Sequence, residues 1–75
     1  MSEVITANVA AEVRAEMARQ RISQRQIGDA LGLSQTAAWR RLKGEVGFDV
    51  AELSKVAELL GVPIEQFLTV SGRVA

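Results

Sequence analysis

The residues best equipped for chemistry in this chain lie between Ser23 and Gly44, in the run SQRQIGDALGLSQTAAWRRLKG. Amide, hydroxyl, indole and cationic groups recur there at short spacing, in Gln24, Arg25, Gln35, Thr36, Trp39, Arg40, Arg41 and Lys43. None of them is a nucleophile paired with a base. Their common chemistry is hydrogen-bond donation and positive charge, which suits a polyanion with readable polar edges. The chain as a whole is formally neutral, with nine Lys/Arg against nine Asp/Glu. From Arg19 to Lys43, however, six cations (Arg19, Arg21, Arg25, Arg40, Arg41, Lys43) meet one anion, Asp29, so this stretch carries +5 and the remainder −5. A basic face hidden inside a neutral total is the electrostatic footprint of nucleic-acid binding.

Composition narrows the alternatives. With 75 residues the chain is expected to form one small domain, near the size at which an apolar core suffices without staples. It contains no cysteine and no histidine, which removes disulfides, thiolate metal sites and the commonest general base. An enzyme is therefore not expected, nor a cofactor, a metal or a small-molecule ligand. The apolar runs are short and the N-terminal stretch is acidic and interrupted, so neither a membrane span nor a signal peptide is expected. A cytoplasmic, nucleoid-associated protein is the plain expectation.

These groups need elements to hold them, and the pattern predicts an all-α fold of five short helices. Ile5, Val9, Val13 and Met17 recur every four residues as the inward stripe of a helix over Thr6–Gln20, with Glu12, Arg14 and Glu16 facing water. Ser23 with Gln26 forms a capping-box pattern, flanked by the staple pair Ile22 and Ile27, and Gly32 closes that second helix after Leu31. Ser34 caps a third helix running to about Lys43, which Gly44 ends. Asp49 and Glu52, with Phe48 and Leu53 as staple, open a fourth helix whose stripe is Val50, Leu53, Val56, Ala57 and Leu60. Gly61 ends it. Pro63 suits the start of a fifth helix, which returns Ile64, Phe67 and Leu68 to the core. The expected organisation is one domain over 1–75, with its core at about 6–69 and a tail at 70–75 that frays or serves assembly.

The second and third helices, joined by Gly32-Leu33-Ser34, make a helix-turn-helix over 23–44. At 100° per residue, Gln35, Thr36, Trp39, Arg40 and Lys43 share one arc of the third helix, while Ala38 and Leu42 point inward. Gln can bond adenine bidentately, Arg can bond guanine, and Thr or Trp can pack on a thymine methyl. Gln35, Thr36, Trp39 and Arg40 are thus the candidate base readers. Ser23, Gln24, Arg25, Ser34, Arg41 and Lys43 are the candidate phosphate contacts, since free N–H groups at the two helix starts favour anions.

At Ser23-Gln24, Ile27, Leu31-Gly32-Leu33-Ser34-Gln35 and Gly44, the chain resembles the phage repressor and Cro-like (Xre-type) helix-turn-helix family. Phe48 to Leu60, followed by Gly61-Val62-Pro63-Ile64, is similar to that family's fourth and fifth helices. The resemblance covers about Val9 to Leu68. It implies a prokaryotic or phage transcriptional regulator, typically a repressor, binding double-stranded operator DNA as a homodimer on a pseudo-palindrome. It also implies that Gln24 touches phosphate and that Gln35, Thr36 and Arg40 read bases. Two departures stand out. Gly28 occupies a mid-helix position where the family usually has alanine, and Arg41 stands where many members place an apolar core residue, leaving Arg41 and Leu42 as rival inward residues.

Blander readings exist for several of these features. Trp39 could serve core or dimer packing, and Gly44-Glu45-Val46-Gly47 has the form of a nucleic-acid clamp but reads better as a plain loop, because Glu45 would repel phosphate. Glu52, Glu58 and Glu65 read as caps or surface groups. Leu59, Val62, Ile64 and Val70 read as core rather than interface. The alternative function is a helical protein-interaction module, antitoxin-like or adaptor, that uses the fourth and fifth helices. RNA binding is disfavoured by the lack of an aromatic stacking platform.

Overall fold

Three helix starts are set by side-chain oxygens that accept otherwise unpaired backbone N–H groups. The structure, a computed structural model, describes residues 3–68, with side chains from Thr6 onward. It contains α1 (Glu3–Gln20), α2 (Gln24–Leu31), α3 (Gln35–Leu42), α4 (Val50–Leu60) and α5 (Glu65–Leu68), with no strand among the described residues. Ser23 and Asp49 each form the full capping box, with Gln26 and Glu52 returning to the cap's own N–H. Ser34 Oγ accepts from Ala37 N at 3.1 Å.

The helix ends share a second device. After each of α1 to α4, one residue's N–H bonds back three positions and the next residue's N–H bonds back five: Arg21/Ile22, Gly32/Leu33, Gly44/Glu45 and Gly61/Val62. This is the Schellman closure, whose first residue adopts the left-handed conformation. Glycine provides it after α2, α3 and α4. After α1 the residue is Arg21, at φ 58°, which no compositional signal announces.

Packing runs through α1, which touches α3, α4 and α5, while α2 lies against α3 and α4. Val9, Val13 and Met17 form the inward stripe of α1, and Ile27, Leu42, Leu53, Val56 and Leu60 meet it from the other helices. The four-residue α5 is too short to persist alone. Its Phe67 is fully buried, worth about 1.5–3 kcal/mol of apolar transfer. Val62 and Ile64 pack half-buried against the same core.

Several expectations are corrected. Val50, placed in the α4 stripe, is 78% exposed, because the first residue after the cap projects beyond the core edge. Leu68 faces outward once Phe67 has taken the inward position, and Leu59 lies partly exposed on the outer side of α4. Regular α5 starts at Glu65 rather than Pro63; the preceding residues form a turn in which Pro63 and Ile64 accept from Gln66 and Phe67. Glu16, expected in water, is nearly covered, and the Arg14 guanidinium reaches across to donate to the Leu42 carbonyl. The α1 helix starts earlier than Thr6, at Glu3. The Ile5 side chain, Val70 and the expected tail lie outside the described residues.

Candidate nucleic-acid interface

The candidate interface lies on α3, and what faces outward from α3 depends on what holds its inner side. Ala38 is fully buried and Leu42 nearly so. Leu42 is therefore the core residue. Arg41 lies beside it, half-buried, with Nε donating to Glu52 Oε1 at 3.0 Å and Nη1 to the Ala37 carbonyl at 3.1 Å. With that rotation set, Gln35, Thr36, Trp39, Arg40 and Lys43 are all exposed on one side, as the helical phase predicts.

The start of this face is coupled to α2. Gln24 Nε2 donates to the Gln35 carbonyl at 3.3 Å and to Gln35 Oε1 at 3.4 Å. Gln24, Gln35, Thr36 and Trp39 together line a shallow open concavity. Two amides joined in this way hold each other's donors and acceptors in a defined direction. The helices meet closely because Gly28 has no side chain. A Cβ there would sit 2.7 Å from Gln35 Nε2 and 3.3 Å from the Leu33 carbonyl oxygen. The departure from alanine at Gly28 thus coincides with a close approach of α2 and α3.

The far end of the face is aromatic and charged. Lys43 Nζ stands 3.6 Å from the centroid of the Trp39 ring, a cation–π contact, while Trp39 itself remains 49% exposed. Glu45 lies against the same cations, 3.0 Å from Lys43 Nζ and 3.7 Å from Arg40 Nε. Sequence reasoning noted Glu45 as unfavourable to phosphate but not its contact with these two side chains, which follows from the turn at Gly44.

The remaining predicted anchors are placed as follows. Ser23 and Ser34 use their hydroxyl oxygens as acceptors in capping, which leaves each O–H as a donor. Arg25 is exposed in the first turn of α2. Arg41 differs from the others, since Glu52 and the α3 backbone already engage its guanidinium. The loop 44–47 packs on α1 as a plain connector, with Gly44 against Ala7 and Gly47 against Thr6.

Two short helices joined by a three-residue turn, the second presenting a polar and cationic face, define a helix-turn-helix DNA-binding domain. Comparison with protein families bears this out and narrows it: the BetR domain profile matches residues 2–75, and the chain belongs to that family, a helix-turn-helix-like DNA-binding domain. No curated protein and no solved structure matches it. Among the described residues no helix is long and apolar enough to cross a membrane.

Proposed function

We propose that this domain is a sequence-specific transcriptional regulator, repressor or Cro-like in action, that inserts α3 into the major groove of operator DNA. It works by binding and not by catalysis. The observation that carries this reading is the outward face of α3. Gln35, Thr36, Trp39 and Arg40 are exposed there together while Ala38 and Leu42 hold the helix from behind. An α-helix fits the major groove, and these side chains match the donor and acceptor patterns of base edges.

In this reading Gln35 and Thr36, at the N-terminal end of α3, enter deepest, with Gln24 bracing Gln35 or reaching the flanking phosphate. Ser23, Arg25 and Ser34 contact the backbone through hydroxyl, guanidinium and helix-start N–H groups. Two copies bind a pseudo-palindrome with their reading helices about 34 Å apart. The exposed Val50, Leu59 and Leu68 on α4 and α5 are apolar surface that a second copy would cover; the same surface favours the alternative of a protein-interaction module. Selection of bound duplexes from a random pool tests the function. Enrichment of an inverted repeat supports it, and failure to enrich any duplex under low salt rejects it.

A further inference from the structure

The Schellman closures of α1 to α4 differ at their second residue. After α1, α2 and α4 that position holds Ile22, Leu33 and Val62, each half-buried. An apolar contact back to the helix commonly accompanies this motif. After α3 the position is Glu45, whose side chain is about half exposed. Its backbone is held as firmly as the others, with Glu45 N donating to the Arg40 carbonyl at 3.0 Å and Gly44 N to the Arg41 carbonyl at 3.1 Å. The motif thus supplies a fixed mount, and the mounted group is a carboxylate. One oxygen lies 3.0 Å from Lys43 Nζ and the other 3.7 Å from Arg40 Nε.

We propose that Glu45 is an internal competitor for DNA phosphate, which neutralises Arg40 and Lys43 in the free protein and so suppresses binding to duplex of arbitrary sequence. The proposal rests on α3 being the DNA-facing helix. A carboxylate bridging two cations occupies the electrostatic role that a phosphate oxygen would take. Non-specific affinity comes almost wholly from cation–phosphate contacts and counterion release, so weakening two cations lowers it directly. A specific site offers Arg40 a base edge in addition to charge, and therefore suffers less from the competition. Exposed ion pairs of this kind add little to folding stability, so the carboxylate can be altered without disturbing the fold.

The test uses a mixed-sequence duplex of about twenty base pairs, followed by anisotropy across a salt series. Three proteins are compared: wild type, Glu45→Gln, and Glu65→Gln, which makes the same charge change on α5, a helix packed on α1. The expected result is roughly tenfold tighter binding by Glu45→Gln at low salt, with a log K against log salt slope steeper by about 1. Glu65→Gln should stay near wild type. Equal gains in the two variants would reduce Glu45 to bulk charge and overturn the proposal. Weaker binding by Glu45→Gln would also overturn it, since Glu45 would then be orienting the cations productively. Absence of salt-sensitive binding in all three proteins would reject the DNA-facing role of α3 itself, and the competitor role with it.

Discussion

Arg41 Nε lies 3.0 Å from Glu52 Oε1, and the same carboxylate oxygen accepts the Asp49 backbone N–H at 3.0 Å. One acid therefore completes the α4 cap and ties α3 to that cap. Both side chains are largely covered, 19% and 17% exposed. The pair agrees with the rotation of α3: with Ala38 and Leu42 in the core, Arg41 is turned sideways to Glu52.

Loss of this tie should separate cap from ion pair. Glu52→Gln can retain the reciprocal half of the capping box and should cost less than about 1 kcal/mol, whereas Glu52→Ala loses that half, keeps only the Asp49 side-chain cap and removes the Arg41 ion-pair partner, costing about 1–3 kcal/mol. Urea denaturation of the two variants checks the order.

Gly28→Ala sets two effects against each other. Alanine gains about 1 kcal/mol of helix propensity. The new methyl group, however, meets Gln35 Nε2 and the Leu33 carbonyl oxygen. The fold should survive with its stability changed by no more than about 1 kcal/mol, while Gln35 shifts off Gln24. Specificity profiling should show altered preference at the base step read by Gln35 and little change elsewhere.

Arg21→Gly should stabilise the domain. A non-glycine residue in the left-handed region costs roughly 1 kcal/mol, which glycine avoids, offset in part by the greater freedom of the unfolded chain. A rise in the thermal midpoint of a few degrees is expected from calorimetry; a fall would mean that the Arg21 side chain contributes more than its backbone costs.

Glu16 supplies an acid-side limit. Its pKa is lowered from the ordinary 4.5, first by the hydrogen bond from Gln20 and then by Gln66 and Arg19, against burial acting the other way. A depressed folded value means that its stabilisation is fully present above pH about 4.5 and fades as pH falls through the folded pKa. Glu16→Gln should lack that acid-side component. The gap between wild type and variant in chemical denaturation should narrow on going from neutral to acid pH; a constant gap would show that Glu16 acts by packing alone.

Trp39 is the chain's one tryptophan and sits on the candidate reading face. Duplex binding through α3 should alter its emission, and Arg40→Gln should reduce affinity for a selected site by roughly 5- to 150-fold, the loss of about 1–3 kcal/mol for one bidentate base contact. An unchanged emission spectrum at saturating duplex would place the contact elsewhere.

The elements were legible wherever the signal was local. The capping boxes at Ser23 and Asp49, the closing glycines Gly32, Gly44 and Gly61, and the phase of α3 all depend on residues within a turn of one another. What escaped the sequence depends on partners far apart in the chain. Glu16 is enclosed by Gln66, fifty positions away, and Arg14 reaches Leu42 across the α1–α3 contact. Arg41, the rival to Leu42, finds its partner Glu52 on another helix. Arg21 was hidden for a different reason: the left-handed position carries no glycine to mark it. The outward set on α3 was readable, whereas the bridging of Arg40 and Lys43 by Glu45 required the backbone path through Gly44.

The division of labour along α3 has a consequence for how such a domain can diversify. Ala38 and Leu42 anchor the helix, Arg41 ties it to Glu52 of α4, and Gln35, Thr36, Trp39 and Arg40 are all exposed. The four outward side chains lie off the buried core, so exchanging them leaves the contacts of Ala38 and Leu42 in place. If α3 reads DNA as proposed, the side chains that would choose the sequence are not the ones that hold the fold.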